Sequence, residues 1–185
     1  MLQPAGALGA YSNLSSKRER MIKITGESID LSALLPLVSH PDCGAQVMFV
    51  GTTRQWTGDI ETACLEYEAF EQLAMVKMNA LEDAARLRWP LKEVVLVHRV
   101  GRVEVAEPSV AVLVASPHRA EAFEAAKWLI DELKHQVPIW KREHYVQVCS
   151  DQDSSEWIHP SSGNCNCEPK TSLDGVQQQQ QAAQQ

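Results

Sequence analysis

No stretch of this chain reaches the roughly 18 consecutive apolar residues that a membrane-spanning helix requires, and no signal-peptide core stands near its start. A transmembrane segment is therefore excluded. The five cysteines, Cys43, Cys64, Cys149, Cys165 and Cys167, are odd in number and irregularly spaced, which is no disulfide framework and points to a reducing, cytoplasmic compartment. Positive charge is also short: 17 Lys+Arg stand against 24 Asp+Glu, for a net charge of −7. A chain of that sign has no general attraction to nucleic acid or anionic lipid, so neither a nucleic-acid nor a membrane partner is expected. Nucleophile elbow, P-loop and dinucleotide fingerprint are all missing. Cys165, Cys167 and His159 could offer three zinc ligands, but they lack C-x-x-C spacing and an obvious fourth partner. Neither a metal nor a cofactor is expected.

What is present suffices for one folded domain. The chain has 185 residues, 44% of them hydrophobic, enough to bury a core. From Asp151 onward five acids face one base, a net of −4, which leaves only −3 for residues 1–150. Composition divides the chain into a disordered leader (1–20), a folded domain (21–158) and a disordered Gln-rich tail (159–185). The leader carries Lys17, Arg18 and Arg20 among serines, so a weak organelle-targeting segment is its alternative reading.

Within the domain, Met21–Thr25 alternates like a short edge strand, and Ser28-Ile29-Asp30 offers an N-cap for a helix over Leu31–Val38. Gly44–Gly51 reads as a buried strand. Cys64–Ala69 alternates Leu65, Tyr67 and Ala69 with Glu66 and Glu68, as a half-solvated strand does. From Phe70 the period becomes helical until Trp89-Pro90. Val94–Val100, Val103–Val105 and Val110–Ala115 are expected to form an antiparallel set. Ser116, followed by Pro117, reads as the cap of a further helix whose buried stripe is Ala120, Phe123, Ala126, Ile130 and Leu133. Pro138 ends that helix, and Ile139–Val148 returns to strand. The order βαββαβββαβ makes the fold class α+β.

Three places invite chemistry. At the helix start, His118 and Arg119 put cations where the helix dipole disfavours them. Either they grip an anion there or they are a solvated, screened pair. At the other end, Lys134 and Lys141 stand seven residues apart, yet Pro138 interrupts the helix, so the spacing alone proves no shared site. Lys134 also fits an ordinary role as a dipole partner. Lys141-Arg142 beside Trp140 is less ordinary, because adjacent cations repel and crowding makes a lysine a better proton shuttle. The third place is Gly51-Thr52-Thr53-Arg54, where a strand delivers two hydroxyls and a guanidinium to a loop. His98-Arg99 reads as an exposed pair at a strand end.

Taken together, Gly51-Thr52-Thr53-Arg54, His98-Arg99-Val100-Gly101, Ser116-Pro117-His118-Arg119 and Val137-Pro138-Ile139-Trp140-Lys141-Arg142-Glu143 resemble, in order and spacing, the catalytic (large) subunit family of molybdopterin synthase. The resemblance spans about Ile29 to Trp157. It implies an α/β hammerhead fold with an additional antiparallel β-sheet, and a homodimeric core with a small ubiquitin-like subunit at each end, a heterotetramer. It implies a sulfurtransferase that converts cyclic pyranopterin monophosphate to molybdopterin by inserting two sulfurs as a dithiolene. The donor would be the C-terminal Gly-Gly thiocarboxylate of the small subunit; this chain ends Ala182-Ala183-Gln184-Gln185 and is not expected to be that carrier. By the same resemblance, substrate contacts fall on Thr52, Thr53, Arg54, His118, Arg119, Lys134, Lys141, Arg142 and Glu143, with Lys141 the central catalytic group and Lys134 second. His118 and Arg119 are expected to serve the neighbouring protomer. One departure stands out: Ile158-His159-Pro160-Ser161 follows Trp157 where many members carry a basic residue. The alternatives are a non-catalytic module that docks a ubiquitin-like C-terminus, and an unrelated α+β protein whose basic pocket binds nucleotide or RNA.

Overall fold

A computed structural model describes residues 20–146 and the backbone of residues 157–158. The leader up to residue 19, the tail from 159 and the cysteines at 149, 165 and 167 lie outside the described residues.

Nine strands and three helices follow one another among the described residues. They are β1 (Met21–Thr25), α1 (Leu31–Leu34), β2 (Ala45–Thr52), β3 (Trp56–Thr57), β4 (Ile60–Ala69), α2 (Glu71–Arg88), β5 (Glu93–Arg99), β6 (Gly101–Glu104), β7 (Pro108–Ser116), α3 (Arg119–Gln136), β8 (Ile139–Tyr145) and β9 (Trp157–Ile158). The class is α+β. Asp30 caps α1 as expected, its carboxylate accepting from the Ser32 and Ala33 amides. A 3-10 turn, Leu35–Val38, follows where Pro36 denies the helix a donor.

Four strands form one sheet in the order β1-β5-β7-β2. β1 is an edge strand, parallel to β5, while β5–β7 and β7–β2 are antiparallel. The two central strands explain their own composition, because each is buried on both faces. Val94, Leu96, Val110, Val112 and Val114 pack against Met78, Leu81, Ala85, Leu129 and Leu133 of the two long helices. Val95, Val97, Ala111, Leu113 and Ala115 face Ile29 and Val38 on the other side. Alternation has no polar side to show here, so both strands are continuously apolar.

The second sheet runs β3-β4-β8-β9, with β6 on the free side of β4. The antiparallel set expected over 94–115 is thus corrected: Gly101, in the left-handed region at φ 79°, turns β6 away from β5 and onto β4, pairing Val103 with Leu65. The start of α3 is corrected too. Ser116 is the last, fully buried residue of β7, and the cap is His118, which makes no side-chain capping bond. The buried stripe of α3 is accordingly Ala122, Ala125, Ala126, Leu129, Ile130 and Leu133, whose alanines let the helix approach the sheet. Ala120 is exposed, and Phe123, at 64% exposure, points to solvent. No helix among the described residues is long and apolar enough to cross a membrane.

Candidate active site

A cleft of about 440 Å³ opens where the two sheets meet the end of α3. Strand and helix periods decide what faces it. On β8 the period of two turns Ile139, Lys141 and Glu143 inward. Opposite them on β4, Leu65 pairs with Glu143 and Tyr67 with Lys141. On α3, Ile130, Leu133 and Lys134 share one face at the helical spacing. Pro138, which breaks the helix between the two lysines, is also what unites them. The Ile139 amide bonds back to the Val137 carbonyl at 2.8 Å and the Phe70 amide to the Pro138 carbonyl at 3.2 Å, so the chain reverses and carries Lys141 to the cleft that Lys134 already lines.

β2 completes the wall with Phe49, Gly51 and Thr52, and Arg54 and Thr57 follow from the loop and β3. Gly51 is required there, since a Cβ at that position would stand 2.6 Å from Val110 Cγ1. The charged lining is Arg54, Lys134 and Lys141 against Glu143 alone, a positive cleft in an acidic chain. Glu143 is fixed by the buried Thr62, whose hydroxyl donates to Oε1 at 2.6 Å.

The floor is polar but neutral. Tyr67 Oη donates to Ser109 Oγ at 3.4 Å, and Ser109 Oγ donates to the Gly51 carbonyl at 3.2 Å. Burial pushes the Tyr67 phenol up, so it stays protonated. His98 lies edge-on to Tyr67 with ring centroids 5.1 Å apart. It is 5% exposed, and burial, aided by the Lys134 charge, pushes it down to about 4. It is a neutral imidazole at pH 7.

A second hollow lies at the start of α3, lined by Gly44, Pro117, His118, Arg119, Ala120 and Glu121. It shares no lining residue with the cleft. Gly44 closes on the turn there: its amide donates to the Pro117 carbonyl at 3.2 Å, and a Cβ would stand 2.8 Å from that oxygen.

A family model described as MoaE protein matches residues 24–136. The chain belongs to the MoaE family. A relative from Culex quinquefasciatus named molybdopterin synthase catalytic subunit is 43% identical over 137 residues, 74% of this chain and 85% of that one. Among solved structures, the molybdopterin synthase of Staphylococcus aureus is similar with a TM-score of 0.69 and 32% identity, over 76% of this chain and 98% of its own. A complex of subunits 1 and 2 of molybdopterin-converting factor from Helicobacter pylori shares the fold with a TM-score of 0.57 at 21% identity, covering 71% of this chain and 92% of that one.

Within this MoaE-family chain, the cleft gathers Thr52, Arg54, Lys134, Lys141 and Glu143. Four residues singled out by sequence stand elsewhere. Thr53 is buried and uses its backbone to hold the turn before β7, donating to the Glu107 carbonyl at 3.2 Å and accepting from the Ala106 amide at 2.9 Å. Arg142 falls on the opposite face of β8, across from Glu66, because strand neighbours alternate. His118 and Arg119 line the separate hollow. The exposed reading of His98-Arg99 is corrected as well: His98 is buried on the floor, and Arg99 pairs with Glu107 at 2.8 Å and donates to the Arg102 carbonyl at 2.9 Å. Sequence reasoning missed His98, Tyr67 and Ser109 as site residues. The signal for Tyr67 was the β4 alternation that set it with Leu65, and for His98 the unbroken apolar run leading into it.

Proposed function

We propose that this chain is the catalytic subunit of a molybdopterin synthase, a sulfurtransferase that turns cyclic pyranopterin monophosphate into molybdopterin. The single observation that carries the proposal is the convergence of Lys134 and Lys141 with Arg54 and Glu143 in one cleft. Two cationic amines beside a guanidinium suit an anionic phosphate ester together with the thiocarboxylate that attacks it. The name of the mosquito relative and that of the staphylococcal structure support the same activity.

The sulfur donor is a small ubiquitin-like subunit ending in a Gly-Gly thiocarboxylate, a two-subunit arrangement like the one the Helicobacter complex is named for. Each transfer forms a carbon–sulfur bond at the pterin side chain in place of a carbon–oxygen bond, whose oxygen leaves as water or stays with the phosphate, and water then cleaves the acyl–sulfur bond to leave the carrier's carboxylate. Two transfers give the dithiolene. Lys141 faces the reaction and stabilises the developing negative charge while moving the proton, and Lys134 assists from the helix end. Glu143, held by Thr62, orients the lysines; Arg54 and Thr52 hold the phosphate. His118 and Arg119 complete the phosphate site of a neighbouring protomer in a homodimer, which accounts for their standing in a hollow of their own. Two such protomers with two carriers make a cytoplasmic heterotetramer.

Reconstitution tests this reading: purified chain, thiocarboxylated small subunit and cyclic pyranopterin monophosphate, with product detected as its oxidised fluorescent pterin. Thiocarboxylate-dependent product is expected. Lys141→Ala should lose at least about a hundredfold in rate, as for a removed charge-stabilising group, with fold and small-subunit affinity unchanged. A complex that forms but makes no product would favour the docking module instead.

A further inference from the structure

The cleft wall is rich in donors, yet an aminopterin ring presents N–H groups of its own that only an acceptor can meet. Arg54, Lys134 and Lys141 cannot accept when charged; Glu143, whose Oε1 takes the Thr62 proton, and the Tyr67 and Ser109 oxygens keep lone pairs, but on groups already tied to Thr62 or to one another. His98 is different. Its Nδ1 stands 2.8 Å from the Arg99 carbonyl, an oxygen that only accepts, so Nδ1 carries the proton and Nε2 keeps its lone pair. The ring is fixed on one side by that bond and on another by its edge-on contact with Tyr67, while it lines the cleft floor. A neutral imidazole with one nitrogen committed to the backbone offers the other as a rigid acceptor.

We propose that His98 Nε2 accepts a hydrogen bond from an N–H of the pterin ring system, setting which edge of the heterocycle lies against Lys134 and Lys141. This deepens the synthase reading and rests on it for the identity of the ligand. His98 is a specificity-determining contact, and the phosphate end of the substrate is indifferent to it. Burial and the adjacent Lys134 charge keep the imidazole unprotonated at neutral pH, so the acceptor is available there.

The experiment compares wild type, His98→Phe and His98→Gln in direct binding of cyclic pyranopterin monophosphate, of inorganic phosphate and of the small subunit. Phe fills the space without an acceptor, and Gln restores one. His98→Phe should weaken pterin binding about tenfold, the worth of one hydrogen bond to a preformed site, with phosphate and small-subunit affinities unchanged. His98→Gln should recover most of the loss. Unaltered pterin binding by His98→Phe overturns the proposal. So does an equal loss in both variants, or a parallel loss of phosphate affinity, since either would mark His98 as structural. Wild type that binds no pterin overturns it too. Wild type that binds the pterin in a His98-dependent way but transfers no sulfur leaves the contact standing and defeats the synthase reading instead.

Discussion

The neutral state of His98 has a consequence for stability that is separate from binding. The unfolded chain takes up that proton near pH 6.5, whereas the folded chain resists it until about 4, so between those values the unfolded state holds more protons. The stability due to the neutral imidazole is complete above pH 6.5 and drains away as the pH falls toward 4. By pH 4.5 the loss should be on the order of 2 to 3 kcal/mol, read as a drop in urea midpoint. Glu107, held low first by the Glu104 amide and then by Arg99, and Asp30, held low by Ser32 and Ala33, pull in the same direction on acidification. His98→Phe should therefore flatten the slope from pH 6.5 to 4.5 without abolishing it. An undiminished slope in that variant would place the acid sensitivity on the carboxylates alone.

Among the elements, β2 depends most on a single small residue. It is an edge of the four-stranded sheet, its register shifts between Gly51 and Thr52, and Gly51 lies against Val110. A methyl group at Gly51 would meet a β-branched side chain that cannot swing away. Gly51→Ala should cost about 1 to 3 kcal/mol, several degrees in thermal midpoint, and should narrow the cleft enough to raise KM for the pterin. An unchanged midpoint would mean that β2 slides outward freely. At this scale the sequence was readable wherever a period or a cap decided matters: the edge character of β1, the Asp30 cap, the Cys64–Ala69 part of β4, which itself begins at Ile60, the long α2 and the Pro138 stop all stand where pattern put them. It failed where a tertiary partner decided. Nothing local says that β6 leaves β5 for β4, or that Ser116 belongs to a strand and His118 to the cap. The site divides in the same way. Lys134 and Lys141 were legible as residue types, but only the reversal at Pro138 brings them together. Arg142 was drawn in by adjacency to Lys141, which on a strand is the surest way to face elsewhere.

For the whole molecule, the two linings pose a question of assembly. If the hollow of one protomer completes the cleft of its partner, two inactive variants should rescue each other. Mixing Lys141→Ala with a His118→Ala, Arg119→Ala double variant and allowing subunits to exchange gives heterodimers in which one of two sites is intact. About a quarter of wild-type activity is expected, since half the dimers are mixed and each has one working site. No recovery would put His118 and Arg119 to work in their own protomer or outside catalysis. The order of the cleft walls along the chain also sets when a working pocket can exist. A chain leaves the ribosome N-terminal end first. All four strands of the β1-β5-β7-β2 sheet are out by Ser116 and both covering helices by Gln136, whereas Lys141 and Glu143 arrive only with β8. The larger core is therefore complete in sequence before the last charged groups of the pocket emerge, and a product stalled short of residue 139 offers the sulfur carrier no place to spend its thiocarboxylate.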